Sequence, residues 1–353
     1  MKNFKSILAF IIIFNILTIQ SICFAPKAIE NSLNIRAVRP LNVGVLLYSF
    51  DDIFLSLIKK NLEDIQRENE SQINFTFFDA KSNSAIQLEN VDRVIQGNYD
   101  FLVLSMFTVK KDVIDDSLIR LKQKNIPVIF LASNIPQTNS FITNNKAFIL
   151  NTDPIEQGTM QGKLIVDEWN LNKKSMDKNK DDILQYILIK GRTDSIYTTT
   201  RSKYSIDAIN NSGIKTQELV SVVSDWSREL AKNTISSLFL KYGNKIEAII
   251  ANNDAMAIGA IEALQQYGYN KGDKSKTIPV FGIDAIPEAK DLIKKGYMAG
   301  SIFQDPQPIA KAIYDVGRNL VADEIPIEGT NLKLNDKEII VPLVFKPYTI
   351  SSN

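Results

Sequence analysis

Asp177, Asn179, Asp181 and Gln185 put side-chain oxygens at alternate positions of one short loop, and the Ile183 carbonyl completes the series. That is the spacing of an EF-hand-like loop, whose tight turn aims alternate oxygens at a hard cation such as Ca2+. The closing glutamate of such loops is missing, and Asp182 stands where a glycine is usual. Aspartate tolerates left-handed backbone better than most residues. The plainer alternative is a solvated charged loop.

A second set of polar residues follows the short apolar runs of the chain: Asp51-Asp52, the Gly191-to-Arg201 segment, Asn252-Asn253-Asp254, Asp284 and Gln304-Asp305. Each alone reads as a helix N-cap. Together they form a ring of hydrogen-bonding groups that capping explains poorly. None of them sets a nucleophile beside a base. The chain has no histidine, which removes Ser-His-Asp triads and His-ligated metals. Its one cysteine, Cys23, allows no intrachain disulfide and no cysteine-ligated metal site. Gly158, Gly162 and Lys163 have the wrong spacing for a phosphate loop and read as helix. The expectation is a binding protein and not an enzyme. A formal net charge of +1 offers no field for nucleic acid.

Elements must bring these residues together. Val43 to Tyr48 is a continuous apolar run, the mark of a strand covered on both faces. Phe54, Ile58, Leu62 and Ile65 then form one helical stripe. Further short strands are expected at Ile73 to Phe77, Phe101 to Leu104 and Val128 to Leu131, with a helix near 111 to 124. This βαβ alternation predicts a mostly parallel, doubly wound sheet. The pattern restarts after Asn151, where Asp153, Pro154 and Glu156 open a helix. Strands follow at 183–189, 215–223, 248–251 and 278–282, and helices at 198–211, from 226, 254–267, 287–295 and 306–322. Two short strands near 332 and 340 close the series. In such open sheets ligands bind at the carboxyl ends of the strands, where the second polar set lies.

The stretches Lys245 to Ala257 and Ile278 to Ala289 resemble the galactose/glucose-binding proteins of bacterial ABC transporters and chemotaxis, a resemblance spanning roughly residues 42–345. It implies a type I periplasmic-binding-protein fold: α/β, with two doubly wound parallel-sheet lobes joined by three crossovers near 151, 303 and 340. The N-terminal lobe would take 42–151 plus 304–340, the C-terminal lobe 152–303 plus 341–353. The sugar would sit between Phe54 and Trp226, one aromatic from each lobe, with Asp52, Arg201, Asn253, Asp284 and Gln304 on its hydroxyl rim. Aromatic rings suit the apolar faces of a pyranose, and carboxylates, amides and a guanidinium suit its hydroxyls. Glu247 occupies the place of the distant glutamate that completes the family's calcium loop. Four family positions differ: Ala132 replaces an amide, Ser195 a histidine, Tyr197 an aspartate and Gln304 an asparagine. An unpartnered buried hydroxyl costs about 1–3 kcal/mol. The cognate sugar is therefore expected to be smaller, or to lack the hydroxymethyl arm.

The resemblance also implies partners. They are a monosaccharide and an ABC permease, with a monomer expected; the alternative is a membrane-anchored sensor that signals to a chemoreceptor or histidine kinase. Lys2 and Lys5 precede an apolar run from Ile7 to about Ile22, the plan of a secretory signal or anchor over residues 1–25. Lipidation at Cys23, cleavage after Ala25 and an uncleaved anchor stay open. Each places the rest outside the cytoplasmic membrane, beyond a linker over 26–41. A sugar-responsive repressor would need a helix-turn-helix at this end instead.

Overall fold

The computed structural model describes residues 39–107, 110–131 and 135–352. The expected signal segment, the expected linker up to residue 38 and Ala132 lie outside the described residues. The chain from Pro40 onward is one unit.

Its first half alternates strand and helix. The order is β1 (Leu41–Leu47), α1 (Ile53–Glu68), β2 (Ile73–Asp79), α2 (Ser84–Gln96), β3 (Phe101–Leu104), α3 (Lys111–Gln123), β4 (Val128–Leu131), α4 (Asn139–Ile142) and β5 (Ala147–Asn151). The second half repeats the plan with α5 (Pro154–Met176), β6 (Ile183–Lys190), α6 (Ile196–Asn211), β7 (Lys215–Val223), α7 (Arg228–Tyr242), β8 (Ala248–Ala251), α8 (Asp254–Gln266), β9 (Val280–Asp284), α9 (Pro287–Lys294) and β10 (Gly300–Phe303). It ends with α10 (Pro306–Val321), β11 (Lys333–Asn335), β12 (Glu338–Ile340) and β13 (Lys346–Tyr348).

Two sheets result, ordered β11-β12-β5-β4-β3-β1-β2 and β13-β10-β9-β8-β6-β7. Neighbouring strands are parallel except β11 with β12 and β10 with β13. The apolar runs are the inner strands: all of β3, β4, β5 and β8 is buried, as helices on both faces require. The chain passes between the sheets after Asn151, after Phe303 and after Ile340.

The structure adds elements the sequence reading did not name, α2, β5 and β10 among them, and differs from it in further details. Strand β9 runs from Val280 to Asp284, so Asp284 is its last residue. Helix α7 begins at Arg228, because Asp225 and Trp226 form a left-handed turn with φ of 50° and 66°. Strand β13 went unforeseen; its Lys-Pro-Tyr segment carries no alternating apolar pattern.

Helix packing sets the position of Arg201. A Cβ on Gly158 would lie 2.7 Å from the Arg201 carbonyl oxygen, and one on Gly162 would lie 2.3 Å from that of Ser205. These two glycines, one helical turn apart, let α5 touch the backbone of α6.

Candidate functional site

The carboxyl ends of the two sheets face one cavity, lined by Asp52, Phe54, Arg201, Trp226, Asn253, Asp284 and Gln304 among others. It offers about 110 Å3 to water-sized molecules, room for a small molecule and not a polymer. All seven residues predicted for the ligand site are therefore brought together. Asp51 is exposed and Asp305 caps α10 through the Gln307 N–H at 3.0 Å; neither lines the cavity.

Asp52 and Asn253 act as caps as well as lining residues. Asp52 Oδ1 accepts from the Leu55 N–H at 2.9 Å and starts α1. Its Oδ2 accepts from the Tyr48 hydroxyl. Asn253 Oδ1 accepts from the Met256 N–H at 3.0 Å and starts α8. The Asn253 Nδ2 makes no hydrogen bond among the described residues, so a donor remains for a ligand. Capping fixes the rotamer of each group and aims its remaining capacity at the cleft.

Arg201, only 5% exposed, donates through Nε to Gln157 Oε1 and through Nη1 to the Asn252 carbonyl, both at 2.7 Å. Its guanidinium lies 5.1 Å from the Tyr197 ring centroid and 5.8 Å from that of Trp226, within cation–π range. Nη2 stays without a hydrogen bond among the described residues. Burial lowers the Arg201 pKa, opposed by the charges of Asp284, Tyr197 and Asp52.

Asp284 accepts from the Gln304 Nε2. Gln304 Oε1 accepts from Gln157 Nε2 at 2.9 Å, so Gln157 ties Arg201 to the Gln304–Asp284 pair across the crossover. Burial pushes the Asp284 carboxyl up to about 7, against the pull of Arg201. Burial also raises Asp52, and it raises Asp254 well above its usual value with help from the Asp284 charge. Asp254 accepts from Ser301 Oγ at 2.6 Å and from the Ile286 N–H at 2.9 Å, which holds the loop after Asp284. That loop is strained, with φ of 121° at Asp284 and 46° at Ala285. Such backbone costs on the order of 1–3 kcal/mol per residue and clusters at working sites.

Trp226 reaches the cavity from its left-handed turn and packs flat on Gly191, where a Cβ would lie 2.2 Å from the indole. Phe54 comes from the first turn of α1 in the other lobe.

Sequence reasoning missed Tyr48 and Gln157, and it named Arg192 only as part of the Gly191-to-Arg201 segment. Tyr48 and Arg192 follow strands, so their positions were a usable signal. Gln157 lies inside a helix with nothing local to mark it. Arg192 crosses the cleft: its guanidinium lies 5.4 Å from the Tyr48 centroid and 5.0 Å from that of Phe107. It also donates to the Met106 carbonyl at 3.4 Å and pairs with Asp194 at 3.1 Å.

Residues 43–325 match the periplasmic binding protein domain family. The chain belongs to that family. It is 33% identical to the D-galactose/methyl-galactoside binding periplasmic protein of Haemophilus influenzae, over 86% of this chain and 88% of that one. It is 23% identical to the ribose import binding protein of Escherichia coli, over 88% and 96%. Among solved structures, a galactofuranose binding protein superimposes with a TM-score of 0.72 at 18% identity, covering 89% of this chain and 96% of that one. A solute binding protein from Bacillus halodurans with bound myo-inositol gives 0.69 at 20% identity, with 89% and 96% covered. Both share the two-lobed fold.

The predicted calcium loop runs from the end of α5 to β6. Asp181 Oδ1 accepts from the Ile183 N–H at 2.9 Å, and Asp177 accepts from the Asp181 and Asp182 N–H groups at 3.1 and 3.2 Å. Asp182 takes φ of 58°, the left-handed conformation expected, and Lys180 takes 61°. Glu247 lies against the loop and accepts from the N–H groups of Lys178 and Gln185 at 2.6 and 3.1 Å. Among the described residues no three His, Cys, Asp or Glu side chains converge as a metal cluster. No described helix is long and apolar enough to cross a membrane.

Proposed function

We propose that the protein captures a monosaccharide between its lobes outside the cytoplasmic membrane and delivers it to an ABC permease. One observation carries this reading: Arg201, Asp284, Asn253 and Asp52 converge with Trp226 and Phe54 on one small cavity. That combination of charge-assisted donors and acceptors with aromatic faces matches what a sugar ring presents. The relatives named for galactose and ribose support it, and the import role of the second favours transport over a sensor. Family membership supports the extracytoplasmic location. Ligand bound to both lobes favours the closed form by its differential affinity for that form, and the permease reads closure. The test is intrinsic fluorescence titrated with hexoses and pentoses. Trp169 is buried in the core, so Trp226 is the reporter at the cavity. A saturable change with one sugar, lost in Trp226→Phe, is expected; silence toward every sugar sinks the reading.

A structural Ca2+ belongs to the same proposal. Asp177, Asn179, Asp181, Gln185, Glu247 and the Ile183 carbonyl are oxygen donors of the hard-cation type. The Gln185 Oε1 is buried without a hydrogen-bond partner, an unpaired acceptor of the kind a cation satisfies. Burial and the nearby Asp177 charge raise the Glu247 pKa, and a cation would relieve both.

A further inference from the structure

Resting on the sugar reading, we infer that the ligand carries a methyl group where common hexoses carry a hydroxymethyl: it is a 6-deoxy sugar or a close equivalent. The cavity lining combines polar groups from both lobes with one apolar patch. Arg201, Asn253, Asp284 and Asp52 supply its unspent hydrogen-bonding capacity. The patch, a floor contributed by the N-terminal lobe and the third crossover, is apolar. Leu55, Ile58, Leu131, Leu150, Ile309 and Val341 all line it, and all six belong to one hydrophobic cluster. Strand register makes part of this floor contiguous, since Leu131 pairs with Leu150 and Ile340 with Asn151.

Tyr197 extends that floor from the opposite lobe. Its ring underlies Arg201, and its hydroxyl is spent at the crossover. It accepts from the Thr152 N–H at 2.9 Å, and lies 3.2 Å from Thr152 Oγ1 and 3.5 Å from Asn151 Oδ1. Thr152 Oγ1 in turn accepts from Gln157 at 2.9 Å. The polar groups at the crossover thus bind one another, and the patch made by the six apolar side chains and the Tyr197 ring is aromatic and aliphatic. A hydroxyl pressed there loses its water without a partner, whereas a methyl gains contact.

The experiment is calorimetric titration with matched sets: galactose, 6-deoxygalactose and the pentose of the same ring configuration, with the corresponding glucose and mannose sets. The expected order is deoxyhexose, then pentose, then hexose, with deoxyhexose about tenfold or more tighter than hexose. A hexose binding as tightly as its 6-deoxy partner overturns the inference and leaves the sugar reading standing. Binding of no sugar overturns both. Val341→Thr, nearly isosteric, is expected to shrink the preference severalfold, and Tyr197→Asn to abolish it. Tyr197→Phe keeps the ring and is expected to keep the preference. A preference unchanged in folded Val341→Thr and Tyr197→Asn proteins assigns the selectivity elsewhere and overturns the role of this floor.

Discussion

Three polar residues of the cavity do two jobs. Asp52 and Asn253 start helices and face the cleft; Arg201 braces Gln157 and faces the cleft. For Asp52 and Asn253 the cap reading and the ligand reading hold together, because a cap is a rotamer lock. Arg201→Lys keeps the charge but not the planar fork, so ligand affinity is expected to fall about a hundredfold in calorimetric titration. Asp284 makes binding pH-dependent. Its carboxyl is raised to about 7, while sugar hydroxyls favour the ionised form. Binding therefore releases a proton when pH is below 7, and the dissociation constant is expected to rise roughly tenfold for each unit by which pH falls there. Titrations in buffers of different ionisation enthalpy measure the proton directly. For stability the sign is opposite: the folded state holds the extra proton between the ordinary carboxylate pKa and 7, so this residue's contribution falls as pH rises through that window.

At the scale of elements, the contact of α5 with α6 and the loop before β6 decide how firmly the site is held. Gly162→Ala puts a Cβ 2.3 Å from the Ser205 carbonyl oxygen. It is expected to lower stability by about 1–3 kcal/mol and to weaken ligand binding, because α6 carries Arg201. Denaturant melts and titrations separate the two effects. The 177–185 loop closes α5 onto β6 and β8. Under the calcium proposal, a chelator is expected to lower the melting temperature by several degrees, and Glu247→Gln to remove most of that sensitivity. No difference between chelated and calcium-loaded protein sinks the calcium proposal.

At the scale of the whole molecule, the two lobes meet across the cleft through Arg192, which lies against both Tyr48 and Phe107. Cation–π contacts of this kind are worth about 0.5–1 kcal/mol each near a surface. Arg192→Ala is expected to shift the lobes toward opening, raising the radius of gyration in small-angle scattering and weakening ligand binding severalfold. An unchanged scattering profile with unchanged affinity shows that closure does not depend on this contact.

What was legible in the sequence followed from period and position, and, for Phe54 and Trp226, from the resemblance to the galactose/glucose-binding proteins. Buried parallel strands read as unbroken apolar runs, so the two doubly wound lobes were visible, and ligands sit at strand ends in such sheets. The residues after those ends, from Asp52 to Gln304, could be named without coordinates. Gln157 could not, because its partners Arg201 and Gln304 are 44 and 147 residues away. Nor could the apolar floor, whose members read as ordinary core until the packing of α1, α10 and the ends of β4 and β5 left one side of them facing a cavity. Local sequence determined which groups stand at the cleft. Only the tertiary structure decided which of their hydrogen bonds were already spent, because that depends on partners brought together from distant parts of the chain.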